Sequence, residues 1–246
     1  MAMDALALER AAARGWPASE VQEAGGWLLR ATPGLGRARS NGALPLVPDP
    51  DVGVLEAWYA ARGRPPAAQV APLERHGALD DRLAARGYVA AYEVDVLTAP
   101  AADVPAPAEP VALLSAPSPR WLEAWGRAEE REDTAAHART VLAGVAGRAA
   151  FALAPRGLGV GMAVRDPEEP VAGLFCLATA RAARGQGVGT AVLRGLAEWA
   201  AGEGAELLYL QVGRRNPAQA LYRRHGFTRA HGYHHRTAPA PRSTLS

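Results

Sequence analysis

The segment Arg184-Gly185-Gln186-Gly187-Val188-Gly189-Thr190 constrains this chain more than any other. An apolar, strand-like run at residues 171–179 precedes it, and a helix-like run at 190–201 follows. Glycines at alternate positions leave backbone N–H groups uncovered. At a helix start, such a turn gathers the unpaired donors and the positive end of the helix dipole at one point. That point suits a phosphate or pyrophosphate, and Arg184 can add a charge-assisted bond to the same anion. Taken alone, a glycine-rich turn also serves as a plain strand–helix connector. The turn fits neither common nucleotide pattern. No Lys-Ser/Thr pair closes it, and its glycines are too closely spaced for a Rossmann fingerprint.

The surroundings narrow the choice. A second strand-like run at 206–212 (ELLYLQV) is apolar on both faces, as a central strand requires. The segment NPAQALYRRHGF follows at 216–227. R-G-x-G-x-G followed by N…A…LY…GF resembles the GCN5-related N-acetyltransferase superfamily, over about residues 110–236. The resemblance implies that the backbone of Gln186, Gly187, Val188, Gly189 and Thr190, with Arg184 and Gly185, holds the pyrophosphate of acetyl-CoA. It further implies that the strand before the turn, at Leu177, Ala178 and Thr179 and on to Ala180, pairs with the pantetheine arm and offers oxyanion donors.

Tyr222 matches the tyrosine of the family's LY pair. A phenol with a pKa of about 10 can protonate a departing thiolate, whose own pKa is about 8.5. The residues alone equally describe a core tyrosine on a short helix. Asn216 corresponds to an asparagine that touches the cofactor, but it lies one residue closer to Tyr222 than the family spacing, so Arg215 takes the usual slot. Asn before Pro217 is also a local helix start, and both readings stay open. Glu129, Glu130, Glu132 and Asp133 form a run that is either a solvated face or the source of a base.

Composition excludes several classes. No run of 18 apolar residues predicts a membrane span, and the first residues read as a helix rather than a signal peptide. The single cysteine, Cys176, allows no internal disulfide and fits a reducing cytoplasm. It reads as a buried small apolar residue rather than a nucleophile. The 27 basic residues are all arginine, yet the net charge is only +2, which argues weakly for nucleic acid. Arg181, Arg184, Arg194, Arg214, Arg215, Arg223, Arg224 and Arg229 crowd the C-terminal half. They make either a solvated surface or a field for an anionic cofactor. His231, His234 and His235 match no common metal spacing; they read as part of a terminal hairpin strand, and no metal is expected.

A Pro/Ala-rich stretch at 98–110 reads as a semi-rigid linker. It predicts a first domain over 1–104, a second over 105–238 and a disordered tail over 239–246. In the first part, periodicity predicts helices at 4–14, 52–62 and 79–86, and strands at 26–32, 67–71 and 88–97. In the second it predicts strands at 110–114, 149–154 and 157–165, and helices at 118–132 and 134–146. LDDRLAARGY echoes the later ALYRRHGF as a helix, a glycine stop and an aromatic, which points to an internal repeat. The first part has no R-G-x-G-x-G; WLLRA and a following RSN-like turn resemble the degenerate half of bacterial tandem acetyltransferases.

The fold expected is thus α/β: two domains related to that superfamily, each a mixed, mostly antiparallel twisted sheet flanked by helices. The activity implied is acetyl-CoA-dependent N-acetyl transfer, directly and without an acyl-enzyme, to a primary amine of a small molecule, amino acid or peptide. The acceptor is expected in a groove between the halves or beside the first helices of the second. The alternatives are an acyl-CoA-binding regulatory module without activity, and an interaction protein whose turn is only a connector. No nucleic acid or membrane partner is expected, and a homodimer is left open.

Overall fold

A computed structural model describes residues 3–129, 141–145 and 148–239. The chain divides into two compact units: Met1–Glu9, Ala18–Asp95 and His231–Ser246 in the first, Arg10–Pro17 and Val96–Ala230 in the second. Both are mixed α/β structures. The division falls at Asp95/Val96 rather than near residue 105, and the C-terminal strand counts with the first unit.

The first unit opens with α1 (Ala5–Gly15), whose last residues count with the second. A hairpin follows, β1 (Glu20–Ala24) and β2 (Trp27–Ala31), with Ala24 opposite Trp27. Its two-residue turn, Gly25-Gly26, has φ of 57° and 80°, a geometry that matches the twist of the strands it joins. Periodicity misses β1 because EVQEA is mostly solvent-facing; the Gly-Gly pair was the legible signal. β3 (Leu44–Pro45) adds to β2.

α2 (Val52–Ala60) starts at Asp51, whose Oδ1 accepts from the N–H groups of Gly53 at 2.7 Å and Val54 at 3.3 Å. After β4 (Ala67–Val70) and α3 (Gly77–Ala85) comes β5 (Val89–Pro100). The strand order β4-β11-β5 places β11 (Thr228–Thr237) beside β4, antiparallel, with His234 opposite Val70 and Thr237 opposite Ala67. The histidine-bearing strand therefore does not hairpin onto its sequence neighbour, as expected; it completes a sheet begun far earlier in the chain. Asp80 of α3 fastens it, accepting from Arg236 Nε at 2.7 Å and Nη2 at 2.9 Å, with His234 Nε2 at 2.6 Å. Trp27, Leu29, Leu55, Tyr59, Leu79 and Leu83 form the core of this unit.

The second unit contains β6 (Ala112–Leu114), α4 (Pro119–Glu129), β7 (Arg148–Leu153), β8 (Gly159–Arg165), β9 (Val171–Thr179), α5 (Val188–Gly202), β10 (Leu207–Gly213) and α6 (Gln219–Arg224). Its strands are ordered β5-β10-β9-β8-β7-β6. Neighbours from β6 to β9 run antiparallel, and β9 and β10 run parallel. Ser118 Oγ caps α4 by accepting from Trp121 N–H at 3.2 Å. The helix expected over 134–146 falls largely outside the described residues, as do Glu130, Glu132 and Asp133.

The expected linker is a correction. β5 continues to Pro100, residues Ala101–Asp103 form a turn of 3-10 helix, and Ala99, Ala101 and Val104 are buried beside Leu193, Leu196 and Leu208. Alanines small enough to sit under α5 make this stretch core, and beyond Pro100 the Ala101 N–H still donates across to Glu206 O at 2.9 Å, just ahead of β10. Val192 and Leu196 of α5 are buried, with Val188 and Trp199 packed at the margin, so the helical stripe faces the sheet. The echo between the halves is visible in each: α3 ends before Gly87 (φ 82°) and buried Tyr88, α6 before Gly226 (φ 81°) and buried Phe227.

Candidate functional site

Residues Arg181–Ala183 make a single 3-10 turn after β9, and the chain then reverses through Gly185 (φ 77°) and Gly187 (φ 81°). α5 begins at Val188, two residues before the predicted start, so Gly189 and Thr190 belong to its first turn. The first intrahelical bond is Ala191 N–H to Gly187 O at 2.9 Å. No side chain caps the helix, which leaves the N–H groups of Val188, Gly189 and Thr190 without an intrahelical acceptor. A Cβ placed on Gly185 or Gly187 would meet nothing within 4 Å. Glycine is required at these two positions by the left-handed backbone, not by crowding, whereas a Cβ on Gly189 would come within 3.2 Å of Thr179 Oγ1. An anion of phosphate size fits that cradle.

β9 changes course just before this turn. Its parallel ladder with β10 ends at Leu174 opposite Leu210. On its other side Phe175 faces Met162, but Ala178 faces Val160, so the register shifts and Cys176 takes φ 54°. This β-bulge bends the strand. Among the described residues, 177–179 have no registered partner on the β10 side, which leaves that edge of the strand outside the ladder. Cys176 is half-buried at the bend rather than fully buried in a regular strand, as expected.

These features share one cleft of about 1060 Å³. Its walls include Leu177, Ala178 and Thr179 of β9, then Arg184, Gly185, Gly187, Gly189 and Thr190 of the turn, then Asn216 and Tyr222. Ten of the twelve expected site residues therefore meet around one space. Gln186 and Val188 do not; they line an adjoining groove of about 430 Å³ on the other side of the turn, with Arg156 and Arg194. Ala180 is not in the wall either, and its N–H already donates to Leu158 O at 2.9 Å. The sequence reading missed Val160, Val192 and Leu221, which also stand in the walls, as does Arg224, one of the arginines read there as either a solvated surface or a field for an anionic cofactor. The first two looked like ordinary core positions, and nothing in their residue types marks the opening.

Tyr222 is 7% exposed and packs edge-on against Phe227 at 6.1 Å. Burial pushes its phenol up to about 12, so it stays protonated, and therefore a donor, throughout the neutral range. Asn216 performs its local role: Oδ1 accepts from Ala218 N–H at 2.9 Å. It also lines the cleft, while Arg215 does not. Arg184 Nε donates to Thr179 O at 3.3 Å, joining the turn to the strand end. Glu129, at the end of α4, is the one carboxylate in the cleft wall among the described residues.

His231, His234 and His235 lie in the first unit, apart from these residues in the chain's division. His231 Nε2 is 2.7 Å from Glu9 Oε1. Among the described residues no group of three or more His, Cys, Asp or Glu is placed to hold a metal ion, and no helix is long and apolar enough to cross a membrane.

A family model described as "Probable histone acetyltransferase Rv0428c C-terminal" matches residues 3–236. An uncharacterized N-acetyltransferase of Bacillus subtilis, YobR, is 29% identical over 245 residues, covering 95% of this chain and 98% of that protein. Among solved structures, a GCN5-related N-acetyltransferase from Kribbella flavida superposes with a TM-score of 0.72 at 19% identity, over 97% of both chains. A tandem protein of the same superfamily, from the clavulanic acid biosynthesis pathway, gives 0.56 at 17% identity over 76% of this chain and 69% of its own. With the family model spanning nearly the whole chain, this protein belongs to the Rv0428c C-terminal acetyltransferase family, and its fold is that of the GCN5-related N-acetyltransferases.

Proposed function

We propose that the protein transfers an acetyl group from acetyl-CoA directly to a primary amine of a small molecule, amino acid or peptide. The observation that carries this reading is the single cleft into which the glycine turn, the open edge of β9 and Tyr222 all project. In this reading the N–H groups of Val188, Gly189 and Thr190 bind the pyrophosphate, and Arg184 adds charge. The edge at Leu177, Ala178 and Thr179 binds the pantetheine arm as an added strand would. An N–H group on the side of that edge away from β8 donates to the reacting carbonyl oxygen. The bound thioester supplies an activated acetyl group and a thiol leaving group. Tyr222, un-ionised at neutral pH, donates a proton to the departing sulfur, and Asn216 lines the same path. No acyl-enzyme is needed, and no metal enters this scheme.

Calorimetry with acetyl-CoA tests the reading, using the wild type beside Gly187→Glu. The substitution puts bulk and negative charge into the cradle, on a backbone at φ 81°. Micromolar binding by the wild type, lost in the variant, supports the site, and thiol release with primary amines then supports transfer. Binding without thiol release for any amine favours a regulatory acyl-CoA-binding module. No binding by the wild type removes the proposal.

A further inference from the structure

The bend in β9 is propped from a distant part of the sequence. Trp16, just beyond α1 and 2% exposed, stacks on Phe175 with ring centroids 6.0 Å apart and planes 29° from parallel. It also meets the edge of Trp125 in α4, at 6.4 Å. Phe175 in turn meets Tyr209 of β10 edge-on at 6.1 Å. The fit is close: a Cβ on Gly15 would come within 2.8 Å of Phe175 Cζ, and one on Gly173 within 2.4 Å of the Tyr209 hydroxyl. Arg14 anchors the same segment through Asp166, with Nε to Oδ2 and Nη2 to Oδ1 both at 2.9 Å.

Phe175 occupies a particular place in β9. It follows the last residue paired with β10 and precedes Cys176, where φ turns positive. A ring wedged against it from Trp16 therefore sets where the strand leaves its neighbour. We propose that Trp16 is a positioning residue: through Phe175 it fixes the bulge and so the open edge at Leu177, Ala178 and Thr179. The inference rests on the reading that this edge binds the acyl donor. It gives residues 10–17, remote in sequence from the glycine turn, a part in the reaction geometry. Misplacing donors by a fraction of an ångström costs rate more than ground-state binding.

The test uses the full chain with Trp16→Leu, the milder Trp16→Phe, and Leu79→Ala as a control that loosens only the core of the first unit. Thiol release with a panel of primary amines gives kcat and the KM for acetyl-CoA. Amide hydrogen exchange over residues 175–180, without any ligand, reports the edge itself. The expected result is a kcat lowered about tenfold in Trp16→Leu with a smaller rise, about two- to threefold, in the KM for acetyl-CoA, since the same edge holds the pantetheine arm. Exchange at 176–179 is faster, Trp16→Phe restores most of both, and Leu79→Ala affects neither. If kcat and local exchange in Trp16→Leu match the wild type, or change only as much as in Leu79→Ala, the inference is overturned. If the wild type releases no thiol, the transfer reading fails, while unchanged exchange would still refute the positioning role and faster exchange would uphold it.

Discussion

Arg14 and Asp166 face each other as two parallel hydrogen bonds of 2.9 Å, a fork of one guanidinium on one carboxylate. Asp166 also accepts from Glu168 N–H at 3.1 Å and Glu169 N–H at 2.9 Å, closing the turn between β8 and β9. Burial alone would push its carboxyl up; the Arg14 and backbone bonds outweigh that and hold it below the usual range. Asp166→Ala should cost about 2 kcal/mol of unfolding free energy in a urea titration at pH 7. The wild-type contribution is present above the ordinary carboxylate value and fades as pH falls through the lowered one. A variant as stable as the wild type would mean that the pair is incidental.

Tyr222→Phe removes only the hydroxyl from a buried ring. Acetyl-CoA affinity by calorimetry should change little, and turnover should fall about a hundredfold if the phenol is the proton donor. Because burial pushes that phenol up to about 12, ionisation of Tyr222 should cause no loss of turnover between pH 7 and about pH 10. Undiminished turnover in the variant would assign the proton to another group.

His235 is buried in β11 with Tyr92 and Tyr233 edge-on to its ring. Burial first, then the charges of Arg30 and Arg39 and the neighbouring His234, push it down to about 3. Below the ordinary histidine value of about 6.5 the unfolded chain takes up a proton that the folded chain refuses. Stability should therefore decline as pH falls from about 6.5 towards 3, and His235→Leu should flatten that slope. Urea midpoints at pH 7.5, 6.0 and 5.0 compare the two; equal slopes would refute the assignment.

A fragment beginning at residue 105 keeps the glycine turn, Tyr222 and all of β6 to β10, yet its β11 loses β4, on which residues 234–237 are registered. It also loses Arg14 and Trp16. Such a fragment should lack a cooperative thermal transition and aggregate through the bared strand. A sharp transition close to that of the full chain would show the second part to be self-sufficient.

Much of the site was legible because its chemistry is local. The alternating glycines announce a left-handed turn wherever the chain places them, and the stripe of α5 identifies the helix behind it. Tyr222 was legible through its place in the LY pair. The bulge was not: Cys176 carries a positive φ with no glycine or asparagine to signal it, because long-range packing around Phe175 imposes the bend. β1 was hidden by its polar side chains, and the 98–104 segment was misread because Pro and Ala in a strand end look like Pro and Ala in a linker. The pairing of β11 with β4 spans more than 150 residues, a distance at which residue patterns carry no register.

That pairing has a consequence for how the protein is made. The ribosome delivers β4 more than 150 residues before its partner strand, so the first unit waits with an open sheet until residue 237 has been added. Folding can be completed only after synthesis of both units, and an N-terminal nascent chain presents β4 as an unfilled edge in the interval.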